Sequence, residues 1–401
     1  MWPGYLRGTL GIDEFDTGIS LIDVISVGAG GGSIAWIDQR GVPQVGPVSA
    51  GSMPGPACYG RGGTQPTVTD AAVVLGLIDP NGYLGGRFSL DADASRSALD
   101  GVFGDRFGWT AAMAAEGVAE LTSTNMAHAL RRVSVERGHD PREFLMLAYG
   151  GTLPMFVTRI CEKLGMSKVI VPYNSSVFSA FGVSTADYVR RYSRTVEWSL
   201  ERPEGVERVN VYRSDMLSRA REEALIDGFD DDSVSYSFTG EFRFEGQVYE
   251  VSIPLPNRPL DEDDALTLAD VFPEHYEQTY GKGTAWREVP VVLLTLGLTA
   301  TAARPKPTLR RWPVGTSDAA SAITGERNVY DARSERYESI PVLAEHLFEP
   351  GMVAAGPLIV DQRDTTIFVS PGWTARRDEY RNFVLATSNP TNRPAPTEEQ
   401  S

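Results

Sequence analysis

Two glycine clusters and one glycine pair are the parts of this sequence best suited to chemistry. GAGGGS occupies residues 28–33, and SAGSMPGPACYGRGGTQPTVTD occupies residues 49–70. A glycine-rich turn leaves backbone N–H groups able to face an anion, and a helix behind it adds its positive end. Glycine at this density costs backbone entropy, so close backbone approach or positive φ must be in demand. Gly28, Gly30, Gly31, Gly32 and Ser33 are therefore candidate cofactor-binding residues. The cluster lacks the Lys-Ser/Thr pair of a phosphate loop and does not fit GxGxxG with an acidic residue beyond it. The IAWID that follows is strand-like, so tight turns between short strands explain the glycines equally well. Gly150-Gly151 lies between the apolar run FLMLAY (144–149) and a helical stretch. Such a turn suits contact with the sugar, base or phosphates of a nucleotide; the plainer reading is a βα turn that packs tightly.

Asp70 ends the second cluster and precedes the helical AAVVLGL. It can cap that helix; the catalytic alternative is a carboxylate that orients a phosphate or metal-bound water. Cys58, in PGPACYG, has no histidine near it in sequence and reads as a small buried residue in a tight turn. Two cysteines and four histidines, with no HExxH and no CxxC, give no self-contained metal site, so no metal ligands are assigned. His128 falls inside a helix, and His139 and Arg142 sit at an exposed helix–strand corner. The acidic groups at 230–232 and 261–264 read as solvated turns and helix starts.

The elements that must position these residues fall into distinct textures. Residues 40–41 divide two alternating runs, as in a hairpin. A helix is expected over 109–137, then a buried strand over 144–149, a helix over 154–166 and a buried strand over 169–171. That order indicates an α/β layer with parallel pairing. Beyond residue 185, runs at 190–199 and 234–254 alternate like antiparallel strands around an acidic helix, and a helix near 263–280 precedes a buried strand at 289–303. The expected organisation is a core over 1–185, an α+β region over 186–303, a linker over 304–327, a small β-rich module over 328–386 and a disordered tail over 387–401.

Composition narrows the class. Of 401 residues, 37 are Lys or Arg and 53 are Asp or Glu, a net charge of −16 that disfavours a nucleic-acid partner. The longest apolar run, 289–303, is broken by Pro290, Thr295 and Gly297, short of a membrane span. With no basic, apolar leader visible, a cytoplasmic protein without membrane contact is expected.

Several blocks carry a resemblance. The string VGAGGGSIAWIDQRGVPQVGPVSAGSMPGPACYGRGGTQPTVTDAAVVLGLIDP resembles the A-type subunit of the hydantoinase/oxoprolinase family. RRVSVERGHDPREFLMLAYGG, VIVPYNSSVFSAFGVSTADYVRRYSRT, FRFEGQVYEV, HYEQTYG and GPLIVDQRDTTIFVSPG continue it in family order. The resemblance implies an α/β fold, part of an actin/acetate-kinase-like (ASKHA) core with a β-rich C-terminal domain. It also implies ATP with Mg, used to phosphorylate a carbonyl or enol oxygen. The substrates implied are small molecules: cyclic amides such as hydantoins and lactams that are hydrolysed, or ketones that are carboxylated. In multi-subunit members a B-type partner carries a second metal.

Two departures from the family pattern bear on the site. The DxGGTxTD block and a second Asp-Gly-Gly-Thr-Ser block do not occur here, so a further chain supplying that N-terminal half, and with it part of the ATP and Mg site, is expected. The family's GGAGPLH is GGTLPMF at 150–156: Leu153 would add bulk where backbone approaches nucleotide, and Phe156 cannot act as acid, base or ligand. One half of a split, ATP-dependent subunit is the first expectation. A non-catalytic scaffold subunit, with ATP chemistry on other chains, is the second, and a truncated remnant the third.

Overall fold

A computed structural model describes residues 26–202 and 204–387. The start of the apolar run expected to lead into GAGGGS (19–25) and the tail from 388 lie outside the described residues. The chain divides into two compact units: 26–180 with 309–387, and Phe181–Thr308.

In the first unit, β1 (Ser33–Ile37) and β2 (Pro43–Ser49) form the expected antiparallel hairpin. Helix α1 (Val68–Val74) opens on a capping box between Thr67 and Asp70 and is wholly buried. Helix α2 (Ala92–Leu99) follows, capped by Asp91. Helix α3 (Ala111–Val133) is capped by Thr110 and turns Ala114, Ala115, Val118 and Ala119 into the core. Thr122 and Ser123 are buried in α3 too, and their hydroxyls donate to the carbonyls of Val118 and Ala119, which satisfies them inside the helix.

The next strand departs from expectation. Only Met146–Leu147 pairs as β3, parallel to β4 (Lys168–Val171), with helix α4 (Val157–Leu164) between them. The run 144–149 was expected to be buried; Met146 and Ala148 are, but Phe144, Leu145, Leu147 and Tyr149 are exposed. Position explains it: β3 is the end strand of its sheet, with β4 as its neighbour.

The second unit follows the alternating pattern closely. Strand β5 (Tyr188–Ser199), helix α5 (Gly205–Ile226), strands β6 (Val234–Phe244) and β7 (Val251–Leu255), helix α6 (Glu262–Tyr280) and strand β8 (Val291–Ala302) occur in that order. The strands form one antiparallel sheet ordered β5-β8-β6-β7. Asp261 caps α6 in a second capping box with Asp264. Phe242, Phe244 and Phe272 fill the core, with Phe244 set edge-on to Phe272 at 4.8 Å.

The remaining strands return to the first unit. Strands β9 (Ile323–Asp331), β10 (Arg336–Ala344), β12 (Leu358–Asp361) and β13 (Thr366–Val369) form one sheet. Strands β11 (Val353–Ala355), β14 (Trp373–Arg377) and β15 (Phe383–Thr387) belong to the other. The stretch expected to be a linker, 304–327, runs into β9 from Ile323, and the backbone N–H of Trp312 is held by the Glu379 carbonyl. The stretch expected to be a small β-rich module, 328–386, shares a core with the first unit, because β15 pairs antiparallel with β4 and Phe383 and Leu385 bury beside Val169 and Val171. Among the described residues no helix is long and apolar enough to cross a membrane.

Candidate functional site

The glycine loop is built by what its neighbours leave room for. The Gly31 carbonyl accepts from both the backbone N–H and the hydroxyl of Thr69, each at 2.9 Å. A Cβ at position 31 would stand 2.7 Å from Thr152 Oγ1 and 2.9 Å from Thr69 Oγ1. At Gly32 it would meet Ser49 Oγ at 2.7 Å, and at Gly28 the backbone of Pro47 at 2.6 Å. Close approach therefore accounts for Gly28, Gly31 and Gly32, whereas around Gly30 the space is open. Ser33 is buried; its hydroxyl accepts from the Gly30 N–H at 2.9 Å and donates to the Gly28 carbonyl at 3.2 Å. That corrects its expected role: the hydroxyl is turned onto its own loop.

The second turn meets the first through Thr152. Gly150 has φ +105°, a conformation side chains rarely adopt, and its N–H donates to the Ser175 carbonyl at 2.8 Å. The Gly151 carbonyl accepts from Thr365 Oγ1 at 2.8 Å. Two residues on, Leu153 is half-buried against the hydrophobic core and Phe156 is fully buried there. The bulk expected to crowd a ligand is thus directed inward.

A cavity of about 450 Å³ opens where these pieces meet. Thr69, Gly151 and Thr152 line it, together with Asp361 at the end of β12 and Arg363, Asp364 and Thr365 from the loop that follows. Asp79, Tyr83 and His346 complete much of the wall. The Asp361 carboxylate is held at 2.6 Å by Arg327, whose guanidinium also donates to the Leu77 carbonyl. Of the glycines singled out in the sequence, Gly151 lines the cavity and Gly31 touches it through Thr69 and Thr152. Gly28, Gly30, Gly32 and Ser33 lie outside its lining and brace the β1–β2 hairpin instead.

Asp70 is the hub beneath this site. It is fully buried, and its two oxygens accept from the backbone N–H groups of Ala57, Cys58 and Thr67 and from the hydroxyls of Thr67 and Ser95, at 2.8–3.1 Å. A carboxylate committed to five internal donors has no lone pair left for a phosphate or metal-bound water. The catalytic assignment is therefore corrected to a positioning one. Cys58 beside it is buried, and burial first, then the Asp70 charge, pushes its thiol up, away from nucleophilic use. Burial likewise pushes the Cys161 thiol up to about 12.

The residues around the cavity fit a nucleotide on one count, a glycine turn that brings backbone to its edge. They do not fit a metal: among the described residues no group of three His, Cys, Asp or Glu side chains converges. Nothing in the sequence marks the loop at 362–365 as part of a site. Asp364 and Thr365 lie in the short β12–β13 hairpin loop, which is tied to the cavity by the Thr365 hydroxyl on the Gly151 carbonyl, a contact across 214 residues with no local signature.

Two family models match the chain, Hydantoinase/oxoprolinase over residues 7–192 and the Hydantoinase/oxoprolinase C-terminal domain over residues 201–388. The chain belongs to the hydantoinase/oxoprolinase family. Among its relatives, the caprolactamase subunit alpha of Pseudomonas jessenii is 31% identical over 93% of this chain and 53% of its own length. The acetophenone carboxylase gamma subunit of Aromatoleum aromaticum is 32% identical over 94% and 53%. The nucleotide-free structure of an acetone carboxylase, which carries out ATP-dependent acetone carboxylation, superposes with a TM-score of 0.78 at 26% identity. It covers 90% of this chain and 52% of that one. The hydantoinase-family chain thus spans about half the length of these relatives.

Proposed function

We propose that this hydantoinase-family chain forms one wall of the ATP cleft of an A-type subunit, in an enzyme that activates a carbonyl or enol oxygen by phosphorylation. The observation that carries the reading is Gly31 wedged against the hydroxyls of Thr69 and Thr152, both of which line the cavity with Gly151. Glycine is the residue that lets the two turns close to this distance. Gly150-Gly151 offers backbone at the cavity's edge, and Asp70 holds the 57–58 loop and the start of α1 in register beneath it. The chain's own acidic residues do not assemble a cation site among the described residues. Phosphate-binding loops and Mg are therefore assigned to the remaining half of such a subunit, and the second metal to a B-type partner.

The chemistry is either cyclic amide hydrolysis or ketone carboxylation, as in the caprolactamase and carboxylase relatives. ATP consumption that requires bicarbonate together with a ketone identifies the carboxylase; consumption driven by a lactam alone identifies the hydrolase. The reading as a whole is tested with Gly31→Val in the assembled complex. A branched side chain at this position forces the two turns apart, and ATP turnover is expected to fall about 100-fold. Unchanged turnover removes this loop from the site and leaves a scaffold subunit.

A further inference from the structure

The first unit holds a second cavity, of about 510 Å³, that shares no lining residue with the one beside Gly151. Helices α3 and α4 form one wall and the β9–β10 hairpin another. On the helix wall Glu116 and Glu120 of α3, one turn apart, pair with Arg159 and Lys163 of α4. Arg159 grips Glu116 at 2.5 and 3.0 Å, and Lys163 meets Glu120. These four charges cancel one another. Val329, Ile340 and Phe368, all buried, supply an apolar lining.

Three polar groups of the lining are left uncommitted. Glu162 accepts the Trp373 indole N–H on one carboxylate oxygen at 2.9 Å, and its other oxygen has no partner among the described residues. The Arg333 guanidinium, in the β9–β10 turn, makes neither ion pair nor hydrogen bond among the described residues. Tyr330 is 7% exposed, and its hydroxyl lacks a partner there too. Burial first, then the charges of Glu335, Glu116 and Asp331, push that hydroxyl up, so it stays protonated. Glu116 and Asp331 line this same cavity, which sets the hydroxyl toward it. A donor this deeply buried costs free energy until it finds an acceptor.

We propose that this cavity binds a small ω-amino acid, a carboxylate and a primary ammonium joined by an apolar chain. Arg333 and the Tyr330 hydroxyl donate to the carboxylate, and Glu162 accepts from the ammonium. The chain lies against Val329, Ile340 and Phe368. Arg159 and Lys163 are spent on Glu116 and Glu120, so the donors left for an anion are those on β9 and its turn. An anion alone would leave Glu162 without a cation, and an amine alone would leave Arg333 and Tyr330 without an acceptor. Both ends are therefore recognised, and the volume is that of a small-molecule site. The two cavities are lined by different residues, so the inference stands apart from the function proposed above.

The test is calorimetric titration of the protein as purified from its native cell. The probes are 4-aminobutanoate, 6-aminohexanoate and 8-aminooctanoate, with hexylamine and hexanoate carrying one charge each. One or more of the amino acids is expected to bind at least about tenfold more tightly than either single-charge probe. Arg333→Gln and Glu162→Gln are each expected to weaken that binding about tenfold, and Tyr330→Phe about threefold, with Tm unchanged. The amide of Glu162→Gln still accepts the Trp373 N–H, and the other two changes remove no hydrogen bond between described residues. If a variant lowers Tm, the comparison of probes on the unaltered protein decides. Failure of all three amino acids to bind overturns the proposal, as does equal binding by a single-charge probe. Binding that Arg333→Gln or Glu162→Gln leaves unchanged also overturns it, and displacement of that binding by ATP assigns the ligand to the cavity beside Gly151.

Discussion

The second unit and the cleft region of the first are held together by different means. In the second unit, long strands alternate apolar and polar residues, and each apolar set packs on α5 and α6. Contacts are made by side chains whose type and spacing announce their direction. Around the cleft, stretches near residues 28–33, 57–58, 67–70, 95 and 150–152 converge, and the fasteners are a buried carboxylate and glycines that leave no room for a side chain. Apolar packing is spread over many residues and yields gradually. A polar hub concentrates the load, so one atom group decides whether several segments stay in register.

The sharpest way to break the comparison is to remove the hub. Asp70→Ala leaves five buried donors without an acceptor, and a loss of about 4 kcal/mol or more is expected in urea unfolding of the first unit. Asp70→Asn keeps one acceptor oxygen and should lose less. A loss below about 1 kcal/mol for the alanine variant would show that the loops hold without the carboxylate. In the second unit, Phe242→Ala empties part of the core between β6 and α6 at an expected cost of about 3 kcal/mol. Nucleotide binding by the assembled complex should survive it. Loss of binding there would blur the distinction between the two regions.

A smaller effect isolates the glycine contact. Gly31→Ala puts a methyl within 2.7 Å of Thr152 Oγ1, and a cost of about 1–3 kcal/mol is expected. Thr152→Ala should recover part of that loss when combined with it, whereas additive losses would mean that the two turns do not meet in solution.

These contrasts explain what could be read from the sequence. Alternation foretold the antiparallel sheet of the second unit. α1 was foretold too, but it starts at Val68 with Thr67 as its cap, ahead of Asp70, which was expected to cap it and instead lies in its first turn. The hairpin at 40–41 and the parallel β3–β4 pair with its helix followed from turn residues and apolar runs. The glycine positions were visible as well, but not what fills the space around them. Ser49, Thr69 and Thr152 are unremarkable in sequence and become neighbours only through the fold. The loop after β12 meets the cleft through the Thr365 hydroxyl on the Gly151 carbonyl, 214 residues away in sequence, which no local pattern encodes. FLMLAY looked buried because periodicity cannot distinguish a central strand from one at the edge of a sheet.

The smallest expected effect lies at the tip of the hairpin. The backbone N–H of Val42, and then the guanidinium and N–H of Arg40, hold the half-buried Asp38 carboxyl below its usual value. A depressed pKa stabilises the folded hairpin above the ordinary carboxylate value of 3.8, and that contribution fades as pH falls through the lowered one. An NMR titration should place the Asp38 midpoint below the ordinary value, and Asp38→Asn should remove the acid sensitivity of this turn alone. A midpoint at or above the ordinary value would mean the turn opens in solution.

The most direct test of the central claim is photocrosslinking of the assembled complex with azido-ATP, followed by peptide mapping of this chain. Label in the peptides containing residues 28–33 or 150–155, displaced by unlabelled ATP, is the predicted result. Displaceable label confined to other chains, with these peptides unmodified, would contradict a nucleotide cleft built on Gly31 and Gly150-Gly151.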